Sequence, residues 1–315
     1  MNKTARYIAL CLTLFFGLIL SASAADINSN AGTSAFPFLK INISARSVGM
    51  GGAFTGLADD ESSLYYNPAG LAKFEEQRFI LGYHNLYADM QSGFAGYINR
   101  FNEKMVYGLY LNYLNYGDFV NTDESGTVLG DFGGGDLLFG LSLGYQVNYQ
   151  WSVGGSAKFI YEKIDEFSAT GLAFDLGARY ETIRGRFGAG INLQNIGFQL
   201  SSLGEEKDKL PFAARGGIFM KPKGLPLVIT SDLILPVDND LVFAIGGEYN
   251  KFDPLFIRLG WNSFGSNYRT GDSEDSWAGL ALGVGFNYNK YQISYAFTPQ
   301  AELGDSHRVT LTGGI

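Results

Sequence analysis

Cysteine occurs once in 315 residues, at Cys11, and histidine twice, at His84 and His307. One cysteine excludes a disulfide framework within the chain. Two histidines far apart in sequence cannot supply the clustered ligands of a zinc site, so neither a metal nor a cofactor is expected. Charged residues are only 17% of the chain and sum to −8. That balance argues against nucleic acid as a partner, because a phosphate footprint needs a basic surplus. After the first 24 residues no stretch approaches 18 consecutive apolar residues, so no helical membrane span is expected. Proline is scarce, at 8, while glycine is abundant, at 42. With 46% hydrophobic and 15% aromatic residues the chain is too apolar for disorder. Such a composition suits an all-β chain that does not face water on every side.

The first residues read as an export signal. Lys3 and Arg6 precede an apolar run from Ile8 to Leu20, and Ala22-Ser23-Ala24 follows it. A basic start, a short apolar run and a small-x-small site predict cleavage after Ala24. The run is too short for a transmembrane anchor. Cys11 lies inside it rather than at the cleavage site, which speaks against a lipoprotein. Residues 1–24 are thus assigned to a signal peptide, 25–76 to an N-terminal segment and 77–315 to a barrel.

Alternation of period two dominates the rest. Leu137, Phe139, Leu141, Leu143, Tyr145, Val147 and Tyr149 fall on one face, with Leu138, Gly140, Ser142, Gly144, Gln146 and Asn148 between them. Residues 171–180 and 278–288 repeat the pattern. Side chains alternate across a strand, so each segment carries one large apolar face and one small or polar face. A soluble sandwich would alternate too, but these segments often reach ten residues. Aromatics such as Trp151, Tyr180, Tyr249, Trp261, Phe286 and Tyr288 also gather near their ends, as interfacial girdles do. The pattern predicts about 14 antiparallel transmembrane strands closed into a β-barrel, an even number as in single-chain bacterial barrels. The connections after even strands are short. Those after odd strands are mostly longer, notably Gly117–Gly134, Gly197–Leu210 and Asn262–Trp277. Read in this phase, Lys158, Asp175, Arg179, Arg215, Asp232, Glu248 and Arg258 face the lumen.

Residues 35–75 do not alternate. They hold the small-residue run Ala45-Arg46-Ser47-Val48-Gly49-Met50-Gly51-Gly52-Ala53-Phe54, an acidic step at Asp59-Asp60-Glu61, and Tyr66-Asn67-Pro68-Ala69-Gly70-Leu71. Pro68 suits the first position of a helix that Asn67 would cap. A compact non-β segment ahead of the first strand could fold back into the lumen as a hatch, the alternative being an ordinary periplasmic extension. These two motifs resemble the N-terminal signature of the PorV/PorQ family, which is grouped with the FadL-like outer-membrane barrels. The resemblance implies a fourteen-stranded barrel plugged by an N-terminal hatch, with Asn67, Pro68, Ala69 and Gly70 in the hatch motif and Arg46 as the charge beside it. It also implies one of two functions: passive uptake of fatty-acid-like hydrophobic molecules, or docking of exported proteins in type IX secretion. The chain departs from common outer-membrane barrels by ending in Leu311-Thr312-Gly313-Gly314-Ile315 rather than in an aromatic residue.

No catalytic set is expected. Gly140-Leu141-Ser142-Leu143-Gly144 matches the G-x-S-x-G pattern but lies mid-strand, where the strand-to-helix elbow of serine hydrolases is impossible. Asp272, Glu274 and Asp275 could hold calcium weakly, although a solvated loop accounts for them equally. The expected partners are outer-membrane lipid and either a hydrophobic small molecule or a secreted protein. The expected location is the outer membrane of a Gram-negative-type cell. Uptake further predicts a mostly apolar pocket near the outer rim.

Overall fold

The computed structural model describes residues 28–87, 89–268, 277–300 and 303–315. The expected signal peptide and the acidic residues Asp272, Glu274 and Asp275 lie outside them. Fourteen antiparallel strands form a closed barrel. They are β1 (Arg78–Asn85), β2 (Gln91–Arg100), β3 (Met105–Thr122), β4 (Val128–Gln146), β5 (Trp151–Ile164), β6 (Phe167–Glu181) and β7 (Phe187–Ser201) in one half. The other half is β8 (Ala213–Met220), β9 (Leu227–Pro236), β10 (Val242–Phe252), β11 (Leu255–Asn262), β12 (Leu280–Tyr288), β13 (Tyr291–Pro299) and β14 (Asp305–Gly314). Each strand pairs with its sequence neighbours, and β1 closes the ring on β14 from Arg78↔Gly314 to Asn85↔His307. Closure leaves no unpaired edge, the condition for a sheet in hydrocarbon.

The alternation resolves into an inside-out protein. Leu109, Leu137, Phe139, Leu141, Phe159, Phe174, Leu176, Ile218, Leu233, Leu282, Val284 and Val309 are all exposed on the outer surface. Their neighbours Ser142, Lys158, Asp175, Arg215, Asp232 and Arg258 are buried. A sandwich would bury the first set and expose the second. Exposed Tyr145, Tyr149, Trp151, Phe187, Tyr288 and Tyr291 gather where even strands hand over to odd ones, hereafter the turn end, as an aromatic girdle would.

Two expected loops are shorter than expected, the first because most of it is strand. The region Gly117–Gly134 is mostly a hairpin, with β3 running to Thr122 and β4 starting at Val128. Gly117, at φ 80°, accommodates a bulge between Asn115 and Asp118, after which pairing resumes as Phe119↔Phe132. Asp123 then closes the tip by accepting N–H bonds from Ser125 and Thr127 at 2.9 and 2.8 Å. Polar residues there read as loop, yet an Asx-type turn needs only a few of them. The second region, Gly197–Leu210, is shortened because β7 continues to Ser201 past a bulge where Asn195 adopts φ 60°. Connections at the opposite, loop end are therefore mostly short, the exceptions being 202–212 and 263–279.

The outer belt sets a stability requirement. Leu141→Arg, at the middle of β4, should destabilise the barrel by about 2–4 kcal/mol in liposomes, read as a shift of the urea unfolding curve.

Candidate functional site

The lumen is occupied by the chain's own residues 34–74. They start at the loop end, where Ser34 forms a parallel bridge to Lys209. There Ser34 and Lys40 both donate to Asp238 Oδ2, at 2.7 and 2.6 Å. They finish at the turn end, where Glu61 pairs with Arg78 and Lys73 lies 3.8 Å from Glu181. Short helical turns carry the segment between: Pro37–Lys40, Ala45–Gly49, Ser63–Tyr66 and Pro68–Lys73. Asn67 begins the last as its N-cap, accepting from Ala69 N–H at 3.2 Å. Its amide also donates to Thr55 O at 2.9 Å and Ile191 O at 3.3 Å, so one side chain joins two parts of the segment to the wall. Pro68, Ala69 and Gly70 are buried behind it.

Glycines let the two backbones meet. At Gly56 an added Cβ would lie 2.6 Å from the Gly217 carbonyl on β8. At Gly51, with φ 69°, it would lie 2.6 Å from Trp261 O and 2.9 Å from Ile245 O. Inward glycines on β4, β5, β6, β10 and β11 face the segment in the same way. No side chain fits at these positions, so the wall and the segment are complementary at backbone distance.

Buried wall side chains then satisfy the segment's backbone, as its burial requires. Asp232 Oδ2 accepts from Phe54 and Thr55 N–H at 3.1 and 2.9 Å. Thr230 donates to Ala53 O, Arg215 to Gly52 O, and Asn192 to Tyr66 O, all within 2.9 Å. Arg179 Nε reaches Gly56 O and Leu57 O at 3.1 and 3.0 Å. Ser142, the apparent hydrolase serine, donates to Leu64 O at 2.9 Å and contacts Ser156 Oγ at 2.7 Å. Neither histidine is its partner: His84 is buried on β1, and His307 bonds to Tyr295.

Arg46 carries the strongest ionic junction. Its Nε and Nη2 bind both oxygens of Glu248 at 2.8 and 3.0 Å, while Nη1 donates to Asp59 and Asp60 at 2.7 and 3.0 Å. Arg258 Nε donates to the same Glu248 at 2.7 Å. A bidentate arginine flanked by three carboxylates is an arrangement that a lysine could not reproduce. Lys158 and Asp175 form a separate pair at 2.6 Å, and Lys158 also donates to Asn195 at 2.9 Å. All seven expected lumen charges are thus buried and inward. Arg179, Arg215, Asp232, Glu248 and Arg258 bear on the N-terminal segment; Lys158 and Asp175 brace the β7 bulge, and Lys158 also lies over the Tyr65 ring of the segment at 5.2 Å. The sequence reading missed Thr230, Asn192 and Gln194, whose only signal is an inward phase.

Inside the lumen, an apolar cluster packs near the outer rim. Phe36, Phe38, Leu39 and Tyr65 of the segment bury themselves with Phe94, Tyr110, Leu114, Leu138 and Ile160 of the wall. Tyr65 meets the rings of Phe94 and Tyr110 edge-on, both at 6.3 Å. Open space lies at both ends: a cavity of about 610 Å³ at the turn end, lined by Arg46, Asp59, Asp60, Lys73, Arg78 and Lys290 among others, and one of about 500 Å³ near the loop end, lined by Tyr113, Asp136, Leu137, Tyr161 and Lys163 among others. Among the described residues, no group of three or more His, Cys, Asp or Glu is placed to hold a metal ion.

A closed barrel of fourteen strands filled from its own N-terminal side can be compared with solved structures. The monoaromatic hydrocarbon channel CymD is 14% identical, over 89% of this chain and 99% of its own, with a TM-score of 0.59. The toluene transporter TodX of Pseudomonas putida is 13% identical over 84% and 96%, also at 0.59. A FadL homologue of Pseudomonas aeruginosa is 12% identical over 93% and 100%, at 0.56. The fold is that of the FadL-type hydrocarbon channels. No protein-family model and no curated relative matches the sequence, so the PorV/PorQ resemblance stands on its two motifs alone.

The loop-end anchor titrates. Burial opposes ionisation of Asp238, but hydrogen bonds from Lys40 and Ser34 outweigh it and hold the carboxyl below its ordinary value. A carboxyl held low in the folded state contributes fully above its unfolded pKa, about 3.9, and the contribution is lost as pH falls through the folded value. Hydrogen-exchange protection of residues 34–40, corrected for intrinsic rates, should stay level from neutral pH to about 4 and fall below it. Asp238→Asn should lower that protection at neutral pH and flatten its acid dependence.

Proposed function

We propose that this protein is an outer-membrane channel for passive uptake of hydrophobic small molecules, with residues 25–76 as its hatch once residues 1–24 are removed. One observation carries the proposal: the lumen is filled by a segment outside the wall, held through hydrogen bonds and ion pairs rather than through the strand ladder. Such contacts can be exchanged for water or ligand one at a time, whereas the ladder cannot open without breaking the barrel. Arg46, Asn67, Pro68, Ala69 and Gly70 act as hatch residues. Arg179, Arg215, Asp232, Glu248 and Arg258 act as its seat, and Lys158 with Asp175 stiffens the wall beside it. A ligand enters at the loop end, displaces the Phe36–Leu39 stretch from its apolar cluster, and leaves as the hatch shifts.

The fold likeness to channels described as carrying toluene and monoaromatic hydrocarbons supports a hydrophobic cargo, fatty-acid-like or aromatic. Docking of secreted proteins in type IX secretion loses part of its motivation. It rested on three long loops, and most of Gly117–Gly134 is a paired hairpin.

Uptake of a fluorescent long-chain fatty acid into liposomes holding the refolded protein tests the proposal, with a variant lacking Ser44–Leu71 beside it. Saturable uptake by the wild type, altered in the variant, is the expected result. No uptake by the wild type, with leakage through the variant, would keep the plug and refute the transport.

A further inference from the structure

One inward row of the wall holds two acids that make no hydrogen bond or ion pair to the segment. It runs Ser92↔Leu114, Leu114↔Asp136, Asp136↔Glu162 and Glu162↔Ala169, near the loop end of β2 to β6. Asp136 and Glu162 are therefore direct cross-strand neighbours on the inner face, 1% and 6% exposed. Opposed residues have Cβ atoms about 4.5–5.5 Å apart, and like charges so placed repel. Tyr116 donates to Asp136 Oδ2 at 2.6 Å. The other oxygen, Oδ1, is buried and has no hydrogen-bond partner.

No internal cation answers this pair. Among the described residues neither carboxylate forms an ion pair; those that form involve other groups, such as Lys158 with Asp175. Lys158 is the inward cation on the same strand, four residues from Glu162 and about 13 Å along it. It is already committed to Asp175, to Asn195 and to the ring of Tyr65. Lys163, next to Glu162, lies on the exposed outer face. Two carboxylates withdrawn from water without a counter-charge are costly, and either a proton or a cation from outside relieves that cost. The row beneath it is Phe94, Asn112, Leu138, Ile160 and Gly171, largely apolar. A charged head at the acid pair would lay its apolar part along Leu138 and Ile160 once the Phe36–Leu39 stretch, clustered with them here, has left.

We propose that Asp136 and Glu162 form a binding site for the ammonium group of a hydrophobic amine, which enters from the loop end. An ammonium brings three donors, enough for the free Asp136 oxygen and for Glu162. A hard divalent metal would want six or more oxygens, which this row does not supply. A fatty-acid carboxylate would meet acid oxygens and no cation here, so the site selects amines over acids. The assignment rests on the uptake reading for its route of entry and refines its substrate class.

Calorimetry on the whole protein in nanodiscs tests it, using phenylethylamine and its neutral isostere phenylethanol. Wild type should bind the amine tighter by about tenfold or more, the worth of hydrogen bonds to charged groups. Asp136→Asn and Glu162→Gln should each erase that preference, in barrels that keep their heat-modifiable migration. Either variant alone suffices if the other fails to fold. Equal binding of the two probes by wild type, or a preference that survives both substitutions, overturns the assignment. Liposome uptake of phenylethanol separates the two proposals: uptake without amine preference removes this site alone, and amine preference without uptake removes the transport reading alone.

Discussion

A fourteen-stranded wall with glycine in many inward positions leaves a space that its own side chains do not fill, and polypeptide backbone has to fill it. Backbone in a lumen brings unpaired N–H and C=O groups, each costly if left dry. Thr230, Arg215, Asn192, Arg179 and Asp232 answer them one by one. Wall and N-terminal segment are therefore a matched pair, in shape through the glycines and in hydrogen bonding through the charged rows.

The same constraint explains why the buried charges come in two kinds. Arg46, Glu248 and Arg258 join a part of the segment to the wall, with Asp59 and Asp60 completing the arginine's shell. Lys158, Asp175 and Asn195 lie wholly within the wall, where Asn195 N–H donates to Asp175 at 2.8 Å and stabilises the bulge. Movement of the segment would break the ion pairs of the first kind, whereas the second would lose only the contact of Lys158 with the Tyr65 ring. The junction combines these ion pairs with the apolar cluster around Phe36, Phe38, Leu39 and Tyr65, so release has to undo both.

Much of this was legible in the sequence. The strict alternation in 137–149 fixes both the strands and which residues face inward, since a one-residue slip would exchange the faces. Asn67-Pro68 announced its own helix start. What stayed hidden was pairing over distance: Asn192 and Thr230 look like ordinary polar strand residues until Tyr66 and Ala53 come beside them. The hairpin of Gly117–Gly134 was hidden for a different reason. Its glycines and acids have loop composition, and only the bulge at Gly117 and the turn at Asp123 restore the pairing. The Asp136–Glu162 pair shows as two ordinary acids in sequence and as one site only in register.

Passage of a hydrophobic molecule through this filled lumen would require residues 34–74 to move. The most direct measurement is a reversible tether. Thr230 Oγ1 lies 2.9 Å from Ala53 O, and the sole native cysteine, Cys11, falls in the predicted signal peptide. In the Ala53→Cys/Thr230→Cys variant, oxidised to the disulfide in liposomes, uptake of a hydrophobic probe should stop and return on reduction. Equal uptake by the oxidised and reduced forms, with the disulfide verified by mass, would contradict a moving hatch.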